Sequence, residues 1–146
     1  MLQIDLISGD DVGKRITVYA PGNNGTLRIN ASGYFREVLS SAVINSDINT
    51  NAMFVDCTNN GTNGCKNTFI NASTANYVEF NCLSGSECDE FKLHCPKTSY
   101  YSKACNLSCS DTAECVGTVF VETHWWKNDF YFDCIGGTCN VNVTWI

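Results

Sequence analysis

Apolar and polar positions alternate along this chain in five-residue blocks that return at a nearly fixed interval. Leu2-Gln3-Ile4-Asp5-Leu6 is the first, Leu27-Arg28-Ile29-Asn30-Ala31 the second and Met53-Phe54-Val55-Asp56-Cys57 the third. Val78-Glu79-Phe80-Asn81-Cys82, Cys105-Asn106-Leu107-Ser108-Cys109 and Phe130-Tyr131-Phe132-Asp133-Cys134 complete the set, with starts 25 to 27 residues apart. In each block the first, third and fifth positions are apolar or Cys and the fourth is polar. That period of two predicts a strand with one buried face.

Each block is followed by turn-forming residues, as in Ser8-Gly9-Asp10-Asp11, Asn59-Asn60-Gly61, Ser84-Gly85-Ser86 and Gly136-Gly137. A second stretch rich in β-branched and aromatic residues comes next, near Arg15–Tyr19, Val38–Ile44, Thr68–Ala72, Phe91–Cys95, Thr118–Val121 and Val141–Trp145. A more variable loop closes each unit. Strand, bend, strand and loop at a fixed period predict an all-β fold, a parallel β-solenoid of about five and a half coils. At about 4.8 Å per coil the rod is roughly 25–30 Å long. An antiparallel sandwich also accommodates short strands and regular turns, but it gives no reason for matching columns at one period. The chain reads as a single domain over 1–146, Cys-free over 1–52 and Cys-rich over 53–146. Stacked coils would bring Asp5, Asn30, Asp56, Asn81, Ser108 and Asp133 into one outward column, its carboxylates mostly separated by an amide or hydroxyl.

Composition narrows the class. Of 146 residues, 44% are hydrophobic and 16% charged, too apolar for a disordered chain. A net charge of −6 and scattered Lys and Arg argue against nucleic acid, which needs clustered cations. No stretch approaches the roughly 18 apolar residues of a helical membrane span. Residues 1–25 carry Asp5, Asp10 and Asp11 and lack the apolar run of a secretory signal, so the chain reads as a mature or partial sequence. Ten cysteines point to an oxidising compartment and a secreted, extracellular protein. Their irregular spacing and only two histidines make zinc the weaker explanation. Six Asn-x-Ser/Thr sequons, at Asn24, Asn30, Asn60, Asn71, Asn106 and Asn142, are candidate N-glycosylation sites in such a compartment.

The cysteines follow the repeat. Cys57, Cys82, Cys109 and Cys134 end a block, while Cys65, Cys88, Cys115 and Cys139 open the next stretch. Coils lacking one member lack the other, which favours pairing within a coil, as Cys57–Cys65, Cys82–Cys88, Cys109–Cys115 and Cys134–Cys139. Cys95 and Cys105 then pair across a loop. Vertical bridges such as Cys57–Cys82 are the competing arrangement, because stacked residues also fall within disulfide reach.

Glu79–Cys88, Leu107–Cys115 and Phe132–Thr144 resemble the Cys-rich repeats of large surface proteins of protists, over about residues 53–146. That resemblance implies a parallel β-helix and a structural role in extracellular glycoprotein fibrils such as flagellar mastigonemes. It implies no catalytic residues.

Candidate chemistry is sparse. His94, between Leu93 and Cys95, reads as an outward, solvated side chain. His124-Trp125-Trp126 could form a stacking platform for a sugar or pack over the core edge, with Tyr100-Tyr101 as further candidates. The acids of the outward column lie two or three coils apart, roughly 10–15 Å, too far for the carboxyl pair of a glycosidase. Glu87, Asp89 and Glu90 form the best acidic cluster and read as a solvated turn. Thr17, Thr68, Thr118 and Thr144 form no continuous ladder. No enzyme, metal or cofactor is expected. Both ends of the solenoid open on strands, at Leu2, Ile4 and Leu6 and at Val143, Trp145 and Ile146, with no helix or charged cap in view. The leading expectation is a glycosylated fibre subunit joining head to tail with copies of itself. An adhesin-like module binding a carbohydrate or protein is the alternative, and a segment of a longer repeat protein a third.

Overall fold

The computed structural model describes residues 1–6, 14–32, 38–58, 64–83, 86–97, 103–110, 113–122 and 130–146. Along the chain the strands are β1 (Leu2–Leu6), β2 (Thr17–Tyr19), β3 (Thr26–Ser32), β4 (Val43–Asn45), β5 (Thr50–Thr58) and β6 (Phe69–Asn71). They continue as β7 (Ala75–Leu83), β8 (Glu87–His94), β9 (Cys105–Ser110), β10 (Glu114–Val121), β11 (Phe130–Ile135) and β12 (Thr138–Trp145). Odd-numbered strands form one sheet of six and even-numbered strands the other, each in coil order. Every pairing between named strands is parallel. This is the parallel β-solenoid that the alternation predicts, and the antiparallel sandwich is ruled out. The last coil supplies a strand to each sheet, so each sheet has six strands against the expected five and a half coils.

The first sheet keeps the predicted columns. Leu2, Leu27, Met53, Val78, Cys105 and Phe130 are successive partners, as are Ile4, Ile29, Val55, Phe80, Leu107 and Phe132. These columns face those of the second sheet, where Val18, Ile44, Ile70, Leu93, Val119 and Val143 align. In mid-rod the core between them is closed to solvent: Ile29, Val55, Phe80, Ile70 and Leu93 are fully buried. Phe80 meets Phe91 edge-on across the two sheets, with ring centroids 5.3 Å apart. Burying one such side chain contributes roughly 1.5–3 kcal/mol.

The second sheet is shorter than expected in its early coils. The apolar run from Val38 predicts a strand, yet β4 begins only at Val43, and Val38 and Leu39 are buried in a turn instead. The reason is a left-handed residue two places before each of β2, β4 and β6, matched by Glu90 inside β8. Arg15, Ser41, Asn67 and Glu90 have φ of 58°, 56°, 60° and 55°. Hydrogen bonds between coils hold three of these corners in line: Arg15 N to Ser40 O, Ser41 N to Lys66 O and Asn67 N to Asp89 O.

In the fifth coil the corner disappears. Val116 pairs with Asp89 and Gly117 with Phe91, leaving Glu90 as a bulge. Gly117 suits that shortcut, because a Cβ there would lie 2.5 Å from both the Phe91 ring and its carbonyl oxygen.

Candidate functional site

The outward face of the first sheet is a hydrogen-bonded ladder. Asp5, Asn30, Asp56, Asn81, Ser108 and Asp133 are successive partners. Asn30 Nδ2 donates to Asp5 Oδ1 and Asn81 Nδ2 to Asp56 Oδ1, each at 2.7 Å. The amides of Asn30 and, second, Gln3 hold the Asp5 carboxyl below its ordinary value. Asn81 also donates to Glu79 Oε1 at 2.7 Å, and Arg28 lies 3.5 Å from Asp56 and over the Phe54 ring. Beside this ladder, Asn51, Ala52, Phe54 and Tyr77 line a shallow groove. Burial, with the Tyr77 OH donating to Glu79 Oε2, pushes the Tyr77 phenol up to about 12. The ladder's acids are never on consecutive strands within the chain. They therefore do not form a catalytic carboxyl pair.

At one corner between the sheets the disulfides stack. Cys57–Cys65, Cys82–Cys88, Cys109–Cys115 and Cys134–Cys139 close within their coils, and Cys95–Cys105 spans a loop. The vertical alternative is not realised. Sγ atoms of Cys57, Cys65 and Cys88 lie within 4.8 Å of one another, a grouping that thiolates could offer to a metal. Here each sulfur is already covalently engaged. Five disulfides fit an oxidising, extracellular setting. Among the described residues no helix is long and apolar enough to cross a membrane.

The outward face of the second sheet differs in character. Asn71, His94 and Phe120 are register partners. His94 is not the solvated side chain that its flanking residues predict. It is half-buried, with its ring 5.5 Å from Phe69 and 4.4 Å from Phe120. Burial and, next, the Lys97 ammonium hold the His94 imidazole below its ordinary value, against an opposing pull from Glu122. Phe69, His94 and Phe120, with Asn67, Thr68, Glu90 and Lys92, line a groove of about 320 Å3. The groove thus combines three flat rings with amide, hydroxyl, carboxylate and ammonium groups, Lys92 being the strand partner of Phe69. Two of its lining residues, Asn67 and Glu90, are in the left-handed conformation. Among the described residues this is the arrangement best suited to a small polar ligand with an apolar face.

Glu87, Asp89 and Glu90 are likewise not a solvated turn but part of β8. One carboxylate oxygen of Asp89 is buried without a hydrogen-bond partner among the described residues. Burial first, then Glu87, raises the Asp89 carboxyl above its ordinary value. Thr68 is buried and donates to the Leu39 and Cys65 carbonyls, a structural role.

Of the sequons, Asn24 sits exposed in a turn and Asn142 exposed on β12. Asn30, Asn71 and Asn106 are half-buried on outward strand positions. Asn71 Oδ1 accepts from Ser73 N at 3.2 Å, and Asn106 Nδ2 donates to Lys103 O at 2.6 Å. Asn60, Tyr100, Tyr101, His124, Trp125 and Trp126 lie outside the described residues.

The two edge coils carry the remaining predicted residues. Leu2 is 41% exposed, Phe132 38%, Trp145 51% and Ile146 56%. By contrast Leu27 and Val55, in the columns of Leu2 and Phe132, are fully buried, and Val121, the partner of Trp145, is only 3% exposed. Ile4, Leu6 and Val143 are partly buried against the core.

Comparison with family models, with curated proteins and with solved structures finds no match to this chain. Its class is therefore set by its own geometry, that of a disulfide-stapled parallel β-solenoid.

Proposed function

We propose that this protein is a structural rod of an extracellular assembly, a non-enzymatic subunit that extends by stacking its end coils on those of further copies. The observation carrying this reading is that the apolar inward columns run unchanged in character to both edge strands and are open there, as at Leu2, Phe132 and Trp145. An edge strand with a free hydrogen-bonding side is a template for another strand. A head-to-tail contact of this kind does not close on itself and gives a filament. The interface would consist of Leu2, Ile4 and Leu6 on one copy and Val143, Trp145 and Ile146 with β11 on the next. N-glycans at Asn24, Asn30, Asn60, Asn71, Asn106 and Asn142 would coat the sides and discourage lateral association. The resemblance of residues 53–146 to protist fibril glycoproteins points the same way.

Electron microscopy and sedimentation of the oxidised chain test the proposal. The expected result is filaments or a concentration-dependent ladder of oligomers that Ile4→Arg abolishes. A native chain that stays monomeric at high concentration, under all conditions of pH and salt, overturns it.

A second reading is favoured by the groove over Phe69, His94 and Phe120. In that reading the rod displays a carbohydrate-binding surface, with stacking from the rings and hydrogen bonds from Asn67, Glu90 and Lys92. His124, Trp125 and Trp126 would add to it. Glycan binding lost in Phe120→Ala with assembly intact supports the module; a native chain that retains no glycan removes it.

A further inference from the structure

Among the described residues, the inward apolar columns of the two end faces can be brought into one register. Extending the register of the first sheet by one parallel step brings Leu2 of one copy against Phe130 of the next, Ile4 against Phe132 and Leu6 against Cys134. In the second sheet the same step sets Val18 against Val143 and Tyr19 against Thr144. A three-residue strand on an eight-residue one is already tolerated inside the rod, where β6 pairs with β8. Apolar columns therefore continue across the junction, and so does the outward ladder. There the match fails, because Asp5 comes to lie beside Asp133. Inside the chain each ladder carboxylate has only an amide or hydroxyl as its immediate partner.

Resting on the fibre reading, we propose that a second copy docks in this register and that the Asp5–Asp133 rung makes the junction conditional on neutralising one carboxylate. The groups facing Asp5 are Gln3 on its own strand, at 3.0 Å and 3.2 Å, and Asn30 on β3. Arg28 on β3 is engaged with Asp56 and the Phe54 ring. Beside Asp133 stands Ser108 on β9, while Lys103 lies with its ammonium 4.5 Å from the centre of the Tyr131 ring. Among the described residues, then, no cation is placed to offset the pair directly. The amides of Asn30 and Gln3 favour the ionised form of Asp5. Two charges about 4.8 Å apart weaken association roughly fivefold even at the dielectric of water, and more as the junction excludes water.

The test is sedimentation of the oxidised 146-residue chain at low salt from about pH 7 to about pH 4, the range over which carboxylates take up protons. The native chain is expected to associate more strongly as acid is added. Asp133→Asn rebuilds the carboxylate–amide rung seen at Asp5–Asn30, and is expected to associate at least roughly fivefold more tightly at neutral pH with a flattened pH profile. Glu114→Gln removes the same charge from β10 and should keep the native profile, which separates the rung from general repulsion. If Asp133→Asn follows the native profile while both associate, the proposed rung is wrong and the fibre reading stands. If no variant associates at any pH, the fibre reading itself fails.

Discussion

Replacing Asn81 with aspartate turns one amide rung of the outward ladder into a carboxylate. Asn81 sits on β7 between Asp56 and Ser108 and donates to both Asp56 and Glu79 at 2.7 Å. The variant keeps the side chain's shape, removes both donations at neutral pH and adds a negative charge beside two others. Coulomb repulsion across about 4.8 Å is about 1 kcal/mol at the dielectric of water and about 3 kcal/mol at an effective value near 20. The Asp56 side chain keeps 23% of its exposure, which puts the pair between those limits. With the lost hydrogen bonds included, the expected destabilisation is about 2–3 kcal/mol at neutral pH.

The sign with pH follows from the same charges. Neighbouring carboxylates raise the introduced carboxyl's pKa in the folded state above its unfolded value. Such a group favours folding while it is protonated. The deficit is therefore smallest below about pH 4, the ordinary value of an aspartate, and opens as pH rises through the folded value. Urea unfolding with the disulfides intact, followed by circular dichroism at about pH 3.5 and about pH 7, measures both ends of that window. Asn81→Leu, which removes the donors without adding a charge, should open a smaller deficit. An Asn81→Asp chain as stable as the native one at neutral pH, or one with the same deficit at both pH values, refutes the ladder argument.

Gly117→Ala is expected to cost about 1–3 kcal/mol in thermal or urea unfolding, since its Cβ meets the Phe91 backbone as well as a ring. Unchanged stability would mean that β8 and β10 are not locked in this register. Replacing Cys95 and Cys105 together by Ala should cost about 2–3 kcal/mol by the chain-entropy model for their separation of 10 residues, read by urea unfolding against the native oxidised chain. His94 is held below its ordinary 6.5, so it favours the folded state when neutral, and its contribution is lost as pH falls below that value. His94→Phe should flatten the stability profile between about pH 7 and about pH 5; an unchanged slope assigns the pH dependence to other groups.

The first sheet was legible to the residue because two independent signals coincide there. Each block alternates with period two, and the blocks repeat at one period, so inward and outward columns can be overlaid without knowing the loops. The disulfide pairs follow from the same overlay, since Leu6 and Ala31 occupy the places where later coils have Cys57 and Cys82. The second sheet was less legible because its corners are imposed by stacking. Of Arg15, Ser41, Asn67 and Glu90, only asparagine has a marked tolerance for left-handed backbone, so nothing in those residue types announces a bend. Val38 and Leu39 look like a strand because they are apolar, but a buried turn needs apolar side chains equally. The sequence neighbours of His94 do not reveal its setting, because the rings it packs against, Phe69 and Phe120, lie a coil away on either side. Overlaying the second strands at the repeat period would have found them.

In a fold whose columns are fixed by stacking, what repeats explains stability and what departs from the repeat is free to be particular. The left-handed corner recurs at Arg15, Ser41, Asn67 and Glu90, then is missing at Val116-Gly117. At that break Glu90 bulges outward, and the groove lined by Phe69, His94 and Phe120 lies beside it. Strained backbone in a non-glycine residue persists only where its surroundings over-determine it, and here stacked coils supply that support. In the proposed junction the ladder would have its own departure: carboxylate would meet carboxylate where Asp133 receives Asp5. One irregularity lies on the flank and the other on the end. A ligand on the flank and a further subunit at the end could therefore be accommodated at once, and Phe120→Ala and Asp133→Asn should separate cleanly, each affecting one property and leaving the other.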